Sequence, residues 1–397
     1  MISSSPPHGN AVYFDNAATS FPKPDPVVRV VSDFMTRAGG NPGRSGHRLS
    51  VESGEIVFDA RERAARLFGV KNPMRVIMTS GATEALNLAI LGLLRGGGHA
   101  VTTSMEHNSA ARPLKELEKR GVISLTVVQC SSQGLADPDD IRESITPSTR
   151  LVVVNHGSNV FGTLQPVTEI GALCREAGVP LLVDAAQTAG VVPLDMARDN
   201  IDLAAFAGHK GLYGPTGTGG LVIADGFDHG RISPLKFGGT GSRSDSTEQP
   251  EFLPDVFESG TLNTAGIAGL AEGISYIESG GRSLASIRGH KKRLVTLFHG
   301  QASAAVRGFV VVMPPDLCET GVFSFNIDGM EPSDVAQRLS DGYDIMSRAG
   351  LHCAPLAHRT AGTFPSGTVR FSFGMFNTAD EVAYAVKALA EIAGGRK

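Results

Sequence analysis

Two charged residues follow short apolar runs and are placed to do chemistry together. Asp184 ends the aliphatic run 181–183, and Lys210 comes soon after a second apolar run that ends at Ala207. A carboxylate at the end of a buried run needs a partner, because burying an unpaired charge is costly. Taken alone, Asp184 would be a helix cap and Lys210 an ordinary loop lysine. The turn at 81–83, which opens a helical stretch, adds backbone N–H groups that can hold an anion.

An acid, an amine and an anion-binding helix start are together what a pyridoxal phosphate site requires. The lysine binds the cofactor covalently, and the acid pairs with the pyridinium nitrogen so that the ring can act as an electron sink. The helix N-terminus holds the phosphate. The glycine-rich run at 214–220 lacks the Gly-Lys-Ser/Thr ending of a nucleotide phosphate loop, which excludes that alternative. The combination therefore predicts pyridoxal 5'-phosphate as the cofactor.

The elements that must position these residues alternate along the chain. Apolar runs of four to six residues lie at 75–79, 99–103, 124–128, 151–155, 180–184, 203–207 and 219–224. Helical stretches at 82–94, 109–120 and 168–177 separate several of them, which predicts buried parallel strands in a βαβ layout. Ligands bind such sheets at the carboxyl ends of the strands. The polar residues expected there lie at 80–83, 106–108, 155–159, 184–187 and 208–210.

The chain is predicted to have two domains. Residues 24–270 form a large cofactor-binding α/β domain, and residues 1–23 and 271–397 form a smaller α+β domain. Between 238 and 254 the chain is rich in Gly, Ser and Thr, and both helix and strand periodicity vanish. This segment is predicted to be a long loop, a feature that in compact domains is usually functional or mobile.

Composition excludes several classes of function. With 41% hydrophobic and 19% charged residues and a net charge of −4, the chain can bury a large core and has no nucleic-acid footprint. The dense basic run at 290–293 is predicted to be a solvated helix face. No apolar stretch approaches the roughly 20 residues that span a bilayer, and residues 1–10 are polar, unlike a signal peptide. Four scattered cysteines indicate reduced thiols in the cytoplasm.

Nine short motifs carry a family resemblance. They are YFDNAA at 13–18, TSGATEALN at 79–87, EHN at 106–108, SNVFGT at 158–163, VDAAQ at 183–187, GHK at 208–210, ESGT at 258–261, RAGLHC at 348–353 and VR at 369–370. In this order they resemble the cysteine desulfurase and selenocysteine lyase group of the class V aminotransferase superfamily. The match runs from Tyr13 to about Ala379. It implies the fold of fold-type I pyridoxal phosphate enzymes, an α/β fold with a mostly parallel central sheet and a smaller α+β domain.

The resemblance implies which residues hold the cofactor. Lys210 would carry it, Asp184 would pair with the ring nitrogen, Gln187 would bond the phenolic oxygen and His107 would stack on the ring. The full implied set is Gly81, Ala82, Thr83, His107, Asn159, Asp184, Gln187, His209, Lys210 and Thr261, of which Thr261 would come from the second subunit of a homodimer. Ala207 departs from the family, which usually has a phosphate-binding serine there. One such hydrogen bond is worth about 1.5–3 kcal/mol.

Further implied residues act on the substrate. Asn159 and Arg370 would grip its carboxylate, since a planar guanidinium suits bidentate binding, and Arg348 would lie nearby. In the resemblance Lys210 and His107 would be catalytic, with Lys210 moving the α-proton. Without the family resemblance, Arg370 would be interpreted as an ordinary strand-end arginine.

Cys353 decides the reaction. A free cysteine is most often a buried structural thiol, but the neighbouring His352 and upstream Arg348 are surroundings that favour a reactive thiolate. A zinc site with His358 lacks enough ligands, so no metal is expected. The resemblance implies that Cys353 takes sulfur from L-cysteine as a persulfide, that alanine leaves, and that an acceptor protein or thiol receives the sulfur. The compact segment 348–358 resembles the family's second group, whose members often need a dedicated acceptor.

Three alternatives stay open. Selenocysteine can replace cysteine as the substrate, or the chain can be another class V lyase or aminotransferase that does not use Cys353. A third possibility is a non-catalytic protein of the same fold that binds a partner. The set of Asp184, Lys210, His107 and Arg370 argues against the third.

Overall fold

The computed structural model describes residues 11–43 and 46–395, so the prediction that residues 1–10 join the small domain lies outside the described part. The strands are Val12–Tyr13 (β1), Val76–Thr79 (β2), Gly98–Thr103 (β3), Ile123–Val128 (β4), Thr149–Asn155 (β5), Leu181–Asp184 (β6), Leu203–Ala207 (β7), Gly219–Ile223 (β8), Phe309–Val311 (β9), Val322–Ile327 (β10), Ile345–Met346 (β11), Arg348–Gly350 (β12) and Thr368–Ser372 (β13).

The helices pack on both faces and at the ends of these strands. They are Asp25–Asp33 (α1), Arg48–Leu67 (α2), Ala82–Leu94 (α3), Asn108–Lys119 (α4), Pro138–Ser144 (α5), Val167–Ala177 (α6), Thr264–Glu278 (α7), Leu284–Ala305 (α8), Pro332–Tyr343 (α9), Pro355–Thr360 (α10) and Ala379–Ala393 (α11). No helix among residues 11–43 and 46–395 is long and apolar enough to cross a membrane.

The large sheet gathers the ends of its strands at one edge. Its seven strands lie in the order β2-β8-β7-β6-β5-β3-β4. Strands β3 to β7 are mutually parallel, whereas β8 runs antiparallel to both β7 and β2. Strands β6, β7 and β8 are buried along their whole length, as expected for a sheet covered on both faces. The carboxyl ends of every strand except β8 therefore meet at one edge, and the predicted α/β fold with a mostly parallel sheet is confirmed.

A second, antiparallel sheet has the order β12-β13-β10-β9. Its register sets Arg348 directly opposite Arg370 on the neighbouring strand. The N-terminal strand β1 pairs in parallel with β11, and Asp15 bridges to Ser372 at the end of β13. The N-terminal segment thus contacts the C-terminal part of the chain. The proposed domain limits at residues 23 and 270 stay a prediction.

The basic run at 290–293 is solvated only in part, since Arg293 is exposed and the three residues before it are not. His290, Lys291 and Lys292 on α8 are half-buried. The His290 ring donates to the carbonyl of Asn377 (3.0 Å), and Lys292 pairs with Glu319 (2.5 Å). These residues are partly covered because α11 and the segment around Glu319 pack on α8. The charge pattern of the sequence does not reveal such contacts.

A buried ion pair ties α2 to the large sheet. The guanidinium of Arg61 on α2 faces both carboxylate oxygens of Glu258, and both side chains are about 5% exposed. Glu258 also accepts from the backbone N–H of Met78 on β2 (2.6 Å). Removing one partner leaves an uncompensated buried charge.

Substitution Arg61→Leu is expected to lower the free energy of unfolding by about 3–5 kcal/mol, because Glu258 loses its counter-ion in the core. Arg63→Leu is the matched control, since Arg63 pairs with Asp59 at the surface and exposed pairs contribute only about 0–1 kcal/mol. Urea unfolding of both variants measures the difference. Equal midpoints for the two would show that the Arg61–Glu258 pair does not stabilise the fold.

Candidate active site

A pocket opens at the edge where the carboxyl ends of the strands meet. It brings together nine of the ten predicted cofactor residues, all except Thr261. Its lining residues are Ser80, Gly81, Ala82, Thr83, Glu84, His107, Ser109, Asn155, Gly157, Asn159, Asp184, Ala186, Gln187, Ala207, His209 and Lys210. Thr261 is exposed and lies outside the pocket of its own chain, so its predicted role in a second subunit stays a prediction.

Asp184 and Lys210 provide the acid and the amine of this pocket. Asp184 ends β6 and is buried, and its Oδ1 accepts from the N–H of Ala186 (2.9 Å). Burial raises the pKa of the Asp184 carboxyl, against the opposing effects of that N–H and of Lys210. Burial also lowers the pKa of the Lys210 amine to about 8, with Asp184 opposing and Arg370 and Arg348 adding to the decrease. Lys210 is therefore partly neutral at physiological pH.

The backbone that carries Lys210 is fixed by unusually many contacts. The carbonyl of His209 accepts from the Ser20 N–H (3.0 Å) and from the hydroxyls of Thr19 and Ser20 (both 3.1 Å). The ammonium of Lys23 donates to the same carbonyl (2.9 Å). Gly208 is needed just before it, since a Cβ there would lie 2.2 Å from the hydroxyl of Thr218. Lys210 is thus held at a defined place over the end of β7.

The start of α3 forms the anion-binding part of the pocket. Gly81 caps this helix with φ +153°, a conformation that glycine adopts readily, and residues 80–84 around the first turn of α3 line the pocket. Ala82, Ala186 and Ala207 pack together as a small apolar cluster on the wall. The position where the family usually has a serine therefore offers no hydroxyl here.

His107 is held by its neighbour Ser109, which the sequence did not single out. The Nδ1 of His107 accepts from the Ser109 N–H (3.1 Å) and lies 2.9 Å from the Ser109 hydroxyl. That hydroxyl also contacts Thr83 (2.8 Å). Because a backbone N–H can only donate, Nδ1 carries the lone pair and Nε2 carries the proton. Burial lowers the pKa of the His107 ring to about 4, and nearby positive charges, first that of Lys210, add to the effect.

Two arginines face each other beside this pocket. Arg370 is about 1% exposed, and its Nη2 contacts the carboxylate of Asp15 (2.5 Å) while Nη1 donates to the carbonyl of Asn159 (3.0 Å). Burial lowers the pKa of the Arg370 guanidinium, with Asp15 opposing. Asp15, which belongs to the first motif, was not predicted to be part of the site. It gives Arg370 an internal carboxylate partner at the position proposed for the substrate carboxylate.

Cys353 is exposed, whereas Cys130, Cys174 and Cys318 are buried. Its carbonyl accepts from the N–H of Asn108 (2.7 Å), the residue after His107. Its Sγ lies 3.6 Å from Nη2 of Arg348. The backbone of Cys353 is therefore held at the start of α4, and its sulfur faces a guanidinium. His352 does not add positive charge as expected, because burial lowers the pKa of its ring well below the usual value.

Several buried polar atoms in the pocket lack a partner among the described residues. They are Oδ1 of Asn155, Oδ1 of Asn159 and Nδ1 of His209. Gln187 donates to the carbonyl of Ala17 (3.0 Å), which leaves its second amide hydrogen for a ligand. Buried polar groups are normally satisfied, so unpaired ones that line a pocket point to a polar ligand.

Glu106 is a further residue that the sequence did not assign. It is fully buried behind the pocket, and its Oε1 accepts from the Thr103 hydroxyl (2.7 Å) and the Asn155 N–H (3.0 Å). Burial raises the pKa of its carboxyl to about 8, so it is mostly protonated at pH 7. A neutral Glu106 supports Asn155 without adding a second negative charge next to Asp184.

Known proteins similar to this chain share both its sequence and its fold. Residues 12–384 match the family described as aminotransferase class-V. A probable cysteine desulfurase of Methanothermobacter thermautotrophicus is 36% identical over 96% of this chain and 95% of that protein. An apo structure of the cysteine desulfurase from Thermococcus onnurineus has a TM-score of 0.89 and 34% identity, covering 97% of this chain and 95% of that one. The cysteine desulfurase CsdA of Escherichia coli has a TM-score of 0.85 at 28% identity, covering 96% and 94%.

His107 is expected to stay neutral, with its proton on Nε2, from pH 8 down to about pH 5. Its pKa of about 4 places protonation below that range. Histidine-selective 15N NMR of the cofactor-free protein measures both the tautomer and the titration, and the His107→Gln variant assigns the signal. A midpoint near 6.5, or a proton on Nδ1, would contradict the geometry around Ser109.

Proposed function

Because the chain belongs to the aminotransferase class-V family, and within it to the cysteine desulfurases, we propose that it removes sulfur from L-cysteine and releases L-alanine. Cys353 is the first sulfur acceptor in this proposal, and pyridoxal phosphate is the cofactor. The observation that carries it is the hydrogen bond from the Asn108 N–H to the Cys353 carbonyl, which holds the backbone of this exposed cysteine beside the residue after His107, and His107 lines the pocket with Lys210 and Asp184.

The residues present fit pyridoxal phosphate. Lys210 would bind it covalently, Asp184 would face its ring nitrogen and His107 would cover its ring. The amino end of α3, Thr83 and His209 would receive its phosphate, and the unpaired Nδ1 of His209 supports this role. Ala207 offers no hydroxyl, so the phosphate depends more on the helix N-terminus. When bound, the protonated ring stabilises the electron pair that remains after the substrate loses its α-proton.

The side chains around the cofactor divide the remaining tasks. Lys210, whose pKa of about 8 leaves part of it neutral, takes the proton from the substrate α-carbon. Arg370 and Asn159 orient the substrate carboxylate, which shares the guanidinium with Asp15 or displaces it. His107 is neutral and offers Nε2–H as a hydrogen-bond donor near the reacting sulfur.

Sulfur transfer itself occurs on Cys353. Its thiolate attacks the sulfur of the substrate, an S–S bond forms, and the bond between that sulfur and the substrate β-carbon breaks. The electron pair of the broken bond goes to the β-carbon, which gains one proton, the α-carbon regains the proton it lost, and the product leaves as alanine. The sulfur is thereby oxidised to a persulfide while the carbon is reduced. The Nη2 of Arg348 lies 3.6 Å from Sγ and can donate a hydrogen bond to it.

Two partners complete the proposal. The persulfide on exposed Cys353 passes to an acceptor protein or thiol. A second copy of the chain supplies Thr261 to the phosphate, which accounts for its exposure and for its distance from the pocket of its own chain.

Substitution Cys353→Ala is expected to lower the rate of alanine formation from cysteine at least about a thousandfold, since the thiols of Cys130, Cys174 and Cys318 are buried. Cys174→Ala, which removes a buried thiol in α6, is the control and should keep the wild-type rate. Alanine is measured with cysteine and, separately, with selenocysteine, which tests the alternative substrate. Full turnover of cysteine by Cys353→Ala would rule out the persulfide route and favour another class V lyase or aminotransferase.

Labelling of the cofactor-free enzyme with pyridoxal phosphate and borohydride is expected to place the pyridoxyl group on Lys210. An amine reacts with an aldehyde only when neutral, so the rate should rise about tenfold per pH unit below pH 8 and level off above it. Peptide mapping and the Lys210→Arg variant identify the residue. An adduct elsewhere, or a midpoint near pH 10, contradicts the assignment.

A further inference from the structure

Two buried histidines stack behind Cys353. His352 and His358 have their ring centroids 5.5 Å apart at an interplanar angle of 26°, and they are 3% and 0% exposed. His358 lies on the short helix α10 and also contacts the ring of Phe161, at 6.0 Å between centroids. An apolar side chain would fill this space without needing hydrogen bonds. The presence of two imidazoles therefore suggests that their polar atoms matter.

The hydrogen bonds of the two rings run in one direction. The carbonyl of Arg348 can only accept, so Nε2 of His352 donates to it (3.3 Å). Burial keeps both rings neutral, since it lowers the pKa of His352 far below its usual value and that of His358 to about 4. Nδ1 of His352 is therefore an acceptor, and Nε2 of His358 donates to it (3.3 Å). Nδ1 of His358 in turn accepts from the hydroxyl of Thr363 (2.7 Å).

This series of hydrogen bonds, from Thr363 through His358 to His352, ends on the segment that contains Cys353. His352 and Cys353 both have left-handed backbone conformations, with φ of +49° and +58°. For non-glycine residues this conformation is unfavourable and persists only when surrounding contacts enforce it. Asn159 donates to the His352 carbonyl (2.7 Å) and the Asn108 N–H donates to the Cys353 carbonyl (2.7 Å). The ring of His352 is the third point at which the segment is held.

We propose that His358, supported by Thr363, is a positioning residue for sulfur transfer. Its Nε2–H fixes the ring of His352, and this ring holds the left-handed segment that points Cys353 toward the pocket. The catalytic meaning of this proposal rests on the proposed function. His358 itself touches neither substrate nor cofactor, because it lies in the core behind the segment.

The test compares His358→Leu, which keeps the volume and loses the hydrogen bonds, with His358→Gln, which keeps an N–H near the place of Nε2. His99→Leu is the matched control. His99 is also a buried histidine between two hydroxyls, those of Thr149 and Thr126, but it lies near the amino end of β3, at the opposite edge of the sheet. Persulfide formation on Cys353 is followed in a single turnover, together with the KM for cysteine. Alkylation of Cys353 by iodoacetamide without substrate is measured by mass spectrometry.

His358→Leu is expected to slow persulfide formation by about tenfold to a hundredfold, the usual effect of misplacing a reacting group by about 1 Å. The KM should stay within about twofold, because the carboxylate-binding residues are unchanged. The alkylation rate should change by at least about threefold, and His358→Gln should restore both rates to within about threefold of wild type. Wild-type transfer in His358→Leu, or transfer in His358→Gln as slow as in His358→Leu, overturns the proposal.

Thr363 gives an independent test if His358→Leu does not fold. Thr363→Val removes the outer hydroxyl at constant shape and should slow transfer about threefold, whereas Thr363→Ser should retain the wild-type rate. Equal rates for Val and Ser at this position contradict the proposal. The alkylation measurement needs no turnover, so it tests the placement of Cys353 even if Cys353→Ala disproves the persulfide route. If Cys353→Ala loses activity, as the persulfide route predicts, while the His358 and Thr363 variants transfer sulfur at the normal rate, only the positioning role is rejected.

Discussion

Positive charge buried at one edge of the large sheet is the constraint to which the rest of the site responds. Arg370 and Arg348 lower the pKa of Lys210, whereas the opposing carboxylates that act on it are Asp184 and Asp15. Two arginines directly opposite each other on neighbouring strands would be destabilising without anions between them. The proposed reaction brings three such anions, which are a phosphate, a substrate carboxylate and a sulfur. Asp15 already pairs with Arg370, and anionic ligands would balance further positive charge at this edge.

This arrangement requires the two sheets to be joined at the pocket. Arg370 of the small sheet donates to the carbonyl of Asn159, and Asn159 donates to the carbonyl of His352. Asn108, at the start of α4, donates to Cys353. The bonds made by the Asn159 and Asn108 donors link loops at the ends of large-sheet strands to the segment around Cys353, and the bond from Arg370 links the Asn159 loop to β13. The reactive sulfur and the pocket are therefore fixed in one frame, although they lie far apart in the sequence.

The sequence allowed the pocket to be predicted well, because its residues occupy the ends of parallel strands. Apolar runs ending at Thr79, Asn155, Asp184 and Ala207 converge in space once the strands are parallel, and this convergence follows from the βαβ pattern alone. The antiparallel direction of β8 was not predicted, since an apolar run has no direction. The fold class and the family membership were predicted correctly.

Contacts between distant segments explain what the sequence did not reveal. The pairing of Asp15 with Arg370 joins residues from opposite ends of the chain, and no local pattern indicates such a pair. His352 was expected to bring positive charge to Cys353, an expectation that ignored burial. Its ring is buried and stacks on His358, whereas Cys353 is exposed. Residues adjacent in sequence have adjacent backbones, but one side chain, here that of His352, can be buried in the core while the other is exposed.

The tautomers of two neutral histidines near Cys353, His107 and His358, are fixed in the same way. At His107 a backbone N–H and the Ser109 hydroxyl occupy Nδ1, and at His358 the Thr363 hydroxyl does so. In each case Nε2 becomes the donor, toward the pocket for His107 and toward His352 for His358. Burial keeps each ring neutral, and a hydroxyl group at Nδ1 sets its tautomer, so neither ring depends on an acidic partner. Near an excess of buried cations, this is the only protonation state of a histidine that does not add to the repulsion.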